Sequence, residues 1–362
     1  MSGRYVLAVS LDPLDATTVL FFGHLAERMA GALRVVRYGQ PDLAGHVAGA
    51  SAVILVRALF EMTPVVWAAR AFAIPVYYFL DDNFMVLREQ RGPWSPFVER
   101  YSVPNVRDRL RAFTGVMLSS RILMQYFEQH RLHSRLLFFP PVAWPQPIRP
   151  TSRTGTGVGF FGGSHLHDTF RDSVLPAVRR LAVEQPVRLI VAGVTAAIPA
   201  SPGLSVAVQP YDRSYANGLR TLAEAGVDVL VHPSVASLAN NEYKNPHALI
   251  SADAIGAVPV VSARPPYDHL GDEDVVLQCD DTVESWHSAL ALACQPATRR
   301  RIGERLAAFC AANFSGTVNR QVIDEMIAAR PAPAAGVALW RRAGVRCAFL
   351  VDHLRRATRW VR

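Results

Sequence analysis

The chain has 362 residues, half of them hydrophobic and 19% charged, a globular balance that excludes disordered, collagen-like and mucin-like polymers and suits two domains of ~100–200 residues each. No apolar run reaches the ~18 residues of a spanning helix, and the opening MSGRYVLAVSLDPLD meets Asp12 after a short apolar strand with no cleavage pattern, so a cytoplasmic protein is expected. Net charge is +8, but residues 331–362 carry seven arginines against Asp352, +6 of that total; a nucleic-acid binder would spread its charge along the folded body, and no nucleic-acid partner is expected.

In chain order, apolar runs at 5–11, 33–38, 52–57, 74–80, 115–120 and 135–140 alternate with stretches of 3.6-residue periodicity. That alternation predicts buried parallel strands joined by helices. Residues 140–157 hold five prolines among Ser, Thr and Gly and break the pattern. A second series follows, with strands at 157–163, 187–193, 204–210, 227–233, 258–263 and 274–280, and helices near 168–183, 213–225, 246–256, 282–295, 297–312 and 316–329. The predicted organisation is an N-terminal domain 1–140, a linker 141–156, a second domain 157–315, a C-terminal helix 316–330 and a basic tail 331–362. Two open α/β domains facing a cleft would bind ligand beyond the carboxyl ends of their strands. The cysteines Cys279, Cys294, Cys310 and Cys347 form no C-x-x-C pair and read as buried thiols of a reduced compartment.

The stretch NNEYKNPHALISADAIGAVPVV at 240–261 is the most informative. Asn245 and Pro246 read as the N-cap and first position of a helix that is apolar nearly all round and ends at Gly256. The free amides and positive dipole end of such a helix favour an anion. Lys244 stands at that end and is the only lysine in a chain with 37 arginines, which suits a compact ammonium used as a phosphate contact; a lone lysine on a solvated loop is the alternative.

This stretch, through Pro246, Gly256, Pro259, Val260 and Val261, resembles the donor-site signature P-x-K-x-x-E-x-x-A-x-G-x-P-V-V of GT-B glycosyltransferases, in particular the retaining family numbered four. GVGFFGGSHLHD at 157–168 is similar to that group's first strand and Gly-rich turn in the second domain, and VYYFLDDN at 76–83 to an aromatic strand ending in paired aspartates in the first. The resemblance implies a GT-B fold, α/β, with two Rossmann-like doubly wound domains. It also implies transfer of a sugar from a nucleotide-diphosphate sugar to an acceptor hydroxyl of a glycan or lipid-linked saccharide, with retention, no cofactor and no metal.

On that reading the donor is bound by Gly162, Gly163, His165, His232, Ser234, Asn245, Pro246, His247 and Ser251, and the acceptor is met by Asp81, Asp82 and Asn83. Glu242, Lys244 and Asp82 are the expected catalytic residues. A carboxylate such as Asp82 can orient or deprotonate an acceptor hydroxyl, with helix or turn capping as the alternative for the aspartate pair. His165 and His167 at i, i+2 lack a third metal ligand at a useful spacing. The two glutamates of many family members fall on Tyr243 and Ser251 here, so Glu242 is the nearest carboxylate, and a catalytically degenerate GT-B nucleotide- or sugar-binding protein is the competing reading. A dehydrogenase fits poorly because no G-x-G-x-x-G follows Val9 or Phe161 and no ribose-binding acid sits ~20 residues after such a turn. Finally, 340–362 places Val345, Phe349, Leu350, Leu354 and Val361 on one helical face with arginines around it and Trp340 and Trp360 near its ends. Such a helix is expected to dock peripherally on the anionic inner face of a cell membrane, or else to pack on the protein itself.

Overall fold

The computed structural model describes residues 4–90, 95–148, 156–163, 166–193, 198–210 and 212–329. It divides into two compact units. One comprises the chain up to Pro13, Thr17–Pro141 and the segment from Gly316; the other comprises Leu14–Ala16 and Val142–Ser315.

The first unit holds β1 (Val6–Ser10), β2 (Leu33–Arg37), β3 (Ala52–Val56), β4 (Val76–Leu80), β5 (Gly115–Leu118) and β6 (Leu136–Phe138), all parallel, in the order β2-β1-β3-β4-β5-β6. Every residue of β1, β3, β4 and β5 is buried, because crossover helices cover central parallel strands on both faces; the edge strand β2 instead exposes Arg34 and Arg37. The chain leaves β1 for β2 on one side and then crosses to β3 on the other, which makes β1/β3 the switch point of this sheet. Helix Thr317–Ala328 belongs to this unit: buried Asn319 donates from Nδ2 to the Pro140 carbonyl at 2.7 Å, and Arg320 donates to the Arg28 carbonyl at 2.9 Å.

The second unit repeats the plan with β7 (Thr156–Phe161), β8 (Val187–Ala192), β9 (Leu204–Gln209), β10 (Val229–His232), β11 (Val258–Ser262) and β12 (Leu277–Cys279), parallel in the order β12-β11-β10-β7-β8-β9. Its switch point lies between β7 and β10. One core cluster runs from Val158 and Phe160 through Val178 and Leu189 to Val260 and the fully buried Trp286. The proline-rich stretch is anchored to this unit at 143–148, where Ala143 donates to the Phe314 carbonyl at 2.8 Å and Ile148 to the Ala254 carbonyl at 2.6 Å.

All twelve strands coincide with predicted ones. The expected helix near 168–183 is present with a π-helical turn at Phe170–Val174 between His167–Thr169 and Leu175–Glu184. Cys279, Cys294 and Cys310 are buried and free, as expected; Cys347 and the rest of the tail lie outside the described residues. No helix among the described residues is long and apolar enough to cross a membrane.

Candidate functional site

In the second unit the predicted donor residues gather at the carboxyl ends of β7, β10 and β11. Gly162 turns the chain out of β7 where a Cβ would stand 2.8 Å from Leu166 Cδ1 and 3.1 Å from Phe160 Cζ, so any side chain there would push the Leu166 tip aside. Gly163 is exposed and accepts the Leu166 amide at 3.0 Å. His165 lies outside the described residues. His167 opens the following helix with its ring against Phe160, and its Nε2 has no hydrogen-bond partner among the described residues.

At the end of β10, His232 packs edge-on to His247 with ring centroids 5.0 Å apart and to Tyr267 at 5.7 Å. Ser234 is buried, and its amide donates to Ser262 Oγ at 2.9 Å, which ties the loop after β10 to the end of β11. That loop is stapled again by Asn241, whose Nδ2 donates to the Val235 carbonyl at 3.0 Å, and it passes through a 3-10 turn at Ala239–Tyr243. Glu242 is exposed on this turn. Lys244, half-buried, follows it directly, its amide donating to the Asn241 carbonyl at 3.3 Å.

Two expectations are corrected here. Helix His247–Ile255 begins one residue later than predicted: Pro246 is the N-cap with ψ 59°, outside the helical range, and Asn245 contributes its carbonyl rather than its side chain. That carbonyl accepts the His247 amide at 2.8 Å and the Pro246 carbonyl accepts the Leu249 amide at 3.0 Å, so two first-turn amides are already occupied. Fewer amides are therefore free at this helix end than an Asn-capped start would leave. Ser251 is the second correction. It is 4% exposed, and its hydroxyl shares a 2.6 Å hydrogen bond with Tyr215 while donating to the His247 carbonyl at 3.1 Å. Helix–helix packing consumes the group expected to meet a ribose. The predicted stop at Gly256 is observed, with φ +68° in the left-handed region that glycine favours.

Sequence reasoning missed the brace beside this site. Arg264, just after β11, donates from Nε and Nη2 to Asp281 Oδ2 at 3.0 and 2.5 Å, and Ser262 Oγ reaches Asp281 Oδ1 at 3.5 Å. Their position at strand ends was the available signal; nothing in their spacing indicates the pairing.

In the first unit Asp81 and Asp82 end β4 beside the switch point. Arg57, which follows β3 and was not singled out from the sequence, bridges them: Nε lies 3.2 Å from Asp81 Oδ1 and Nη2 2.6 Å from Asp82 Oδ2. Thr17 donates to Asp81 Oδ2 at 2.6 Å and accepts from Arg57 Nη1 at 3.0 Å. Asn83 does not join them. It is fully buried and caps helix Phe84–Glu89 by accepting the Val86 amide at 3.3 Å, which takes it off the expected acceptor face.

No family model matches this chain, and no curated protein sequence does. Solved structures do. An alpha-glucosyltransferase in complex with UDP superimposes with a TM-score of 0.60 at 10% identity, over 90% of this chain and 100% of that one. HepE from Anabaena, in complex with UDP and glucose, gives 0.56 at 14% identity over 90% and 100%. The glycosyltransferase WaaG, involved in lipopolysaccharide biosynthesis, gives 0.54 at 14% identity over 91% and 100%. The fold is GT-B. Within GT-B, both clusters described above occupy strand ends at switch points, the places where doubly wound sheets bind ligands. Among the described residues no group of three His, Cys, Asp or Glu side chains is arranged to hold a metal ion.

Proposed function

We propose that this GT-B chain is a glycosyltransferase that moves a sugar from a nucleoside-diphosphate sugar to an acceptor hydroxyl, with retention and without a divalent cation. The observation that carries the reading is Lys244, the chain's one lysine, half-buried between the loop after β10 and a buried helix whose first residue, His247, packs its ring against His232. Its ammonium and the helix dipole would stabilise the diphosphate leaving group, where negative charge grows in the transition state. Glu242 on the preceding turn would take the ribose hydroxyls, and Asp81 and Asp82 of the first unit would hold the acceptor, with Asp82 placed to orient its hydroxyl.

The acceptor is a saccharide or a lipid-linked saccharide in this reading. One GT-B neighbour was solved with UDP-glucose and DNA, which makes a nucleic acid the competing acceptor class; the near-neutral body of this chain argues against it. The basic tail would bring the protein to an anionic membrane surface carrying a lipid-linked acceptor. A catalytically degenerate binder is the second reading. It is favoured by Ser251, buried and internally bonded at a position where family members carry a glutamate.

Thermal shift against UDP, GDP, dTDP, ADP and NAD tests the assignment, since a ligand at 100 times its Kd adds ~2.7 kcal/mol of stability. Stabilisation by one diphosphate, followed by turnover of its sugar conjugate in EDTA, is expected. Stabilisation by NAD alone refutes the transferase, and diphosphate binding without turnover selects the degenerate reading.

A further inference from the structure

The Arg57 network is built more elaborately than a surface ion pair requires. Arg57 adopts φ +64° without being glycine, a conformation that costs an L-residue roughly 1–2 kcal/mol. Its carbonyl accepts from two tyrosine hydroxyls, Tyr78 at 2.9 Å and Tyr101 at 2.8 Å, and both rings are essentially buried. Its amide donates to the Phe79 carbonyl at 2.9 Å. Arg109 secures the next turn by donating to the Leu59 carbonyl at 3.3 Å and to Thr63 Oγ1 at 2.7 Å. The backbone that carries the guanidinium is thus held from several sides, and the guanidinium itself lies 5.2 Å from the centre of the Phe84 ring.

So anchored, one cation serves two consecutive carboxylates and a hydroxyl, with the carboxylate side chains only 16% and 15% exposed. Two neighbouring carboxylates brought together without it would repel, and one of them would tend to take a proton. The planar guanidinium fork presents donors to both carboxylates in one fixed geometry, whereas an ammonium is a point charge on a flexible stem.

We propose that Arg57 is a positioning residue that holds Asp81 and Asp82 oriented to receive sugar hydroxyls. The proposal rests on the acceptor role given to the two aspartates above. Saturation-transfer NMR on the full chain tests it, with glucose, galactose, mannose and N-acetylglucosamine as probes. The unaltered protein should transfer saturation to at least one sugar and Asp82→Asn should lose the signal. Arg57→Ala should lose it too and regain it in millimolar methylguanidinium, a rescue that a merely structural role would not give. Arg57→Lys, which keeps the charge and guards against a folding failure in the alanine variant, should weaken the signal several-fold with an unfolding midpoint near that of the parent. If Asp82→Asn abolishes the signal while Arg57→Ala or Arg57→Lys keeps it, or methylguanidinium restores nothing, Arg57 is not the positioning residue and the acceptor reading stands. No signal in the parent, or one indifferent to Asp82→Asn, overturns both.

Discussion

Lys244 and Ser251 are separated by two turns of the same buried helix and its approach, yet they invite opposite tests. Removing the Lys244 ammonium should weaken a nucleoside diphosphate about tenfold or more, as expected for the loss of a charged hydrogen bond worth ~1.5–3 kcal/mol, while the parent nucleoside binds within a factor of two. Calorimetry of Lys244→Ala with both ligands decides this, and equal losses would take Lys244 away from the phosphates. Ser251→Ala should leave nucleotide affinity unchanged. It strands the buried Tyr215 hydroxyl, so urea unfolding should show a loss of ~1–3 kcal/mol; a drop in nucleotide affinity instead would return Ser251 to the binding site.

At the scale of elements, helix His247–Ile255 depends on how it starts and stops. Its seven buried residues of nine leave no polar face to float on solvent, so its ends fix its place. Gly256 lets the chain turn back at once into β11, with its own amide and that of Ala257 returning to the Ala252 carbonyl. Gly256→Ala forces a Cβ into the left-handed region and should cost ~1–2 kcal/mol of unfolding free energy. An unchanged denaturation midpoint would mean that the turn can relax. The N-terminal end was less legible, because Asn-Pro reads as cap and first position whichever side of the proline the helical dihedrals begin.

Over the whole molecule, acid stability and surface attachment can be read separately. Burial, with a smaller contribution from Arg28, pushes the His24 imidazole down from 6.5 to about 4. The folded state therefore binds fewer protons than the unfolded chain between those values, and His24 withdraws stability as pH falls through that window, ~3 kcal/mol once pH 4 is reached. His24→Leu should flatten the loss of unfolding free energy between pH 6.5 and pH 4; an acid limb as steep as the parent's would assign it to other groups. Deleting 336–362 should abolish salt-sensitive binding to anionic liposomes and leave nucleotide binding intact. Full-length protein that ignores such liposomes at low salt would end the membrane reading.

Period and punctuation in the sequence determined the two parallel sheets, because continuous apolar runs are what strands covered on both faces require, and twelve such runs separated by helical periodicity admit few other arrangements. They also marked the strand ends, the places where doubly wound sheets bind ligands, and the polar residues Lys244, Glu242 and the aspartate pair near them. Tertiary structure alone decided how the polar side chains are bonded. Ser251 lost its hydroxyl to a tyrosine 36 residues away, and Asn83 turned inward to cap a helix. Arg57 reached Asp81 and Asp82 across 24 and 25 positions, and Arg264 found Asp281. The return of helix Thr317–Ala328 to the first unit was equally hidden. Periodicity reports which face of an element is buried, but a polar side chain's partner depends on strand order and crossover, which no local pattern encodes.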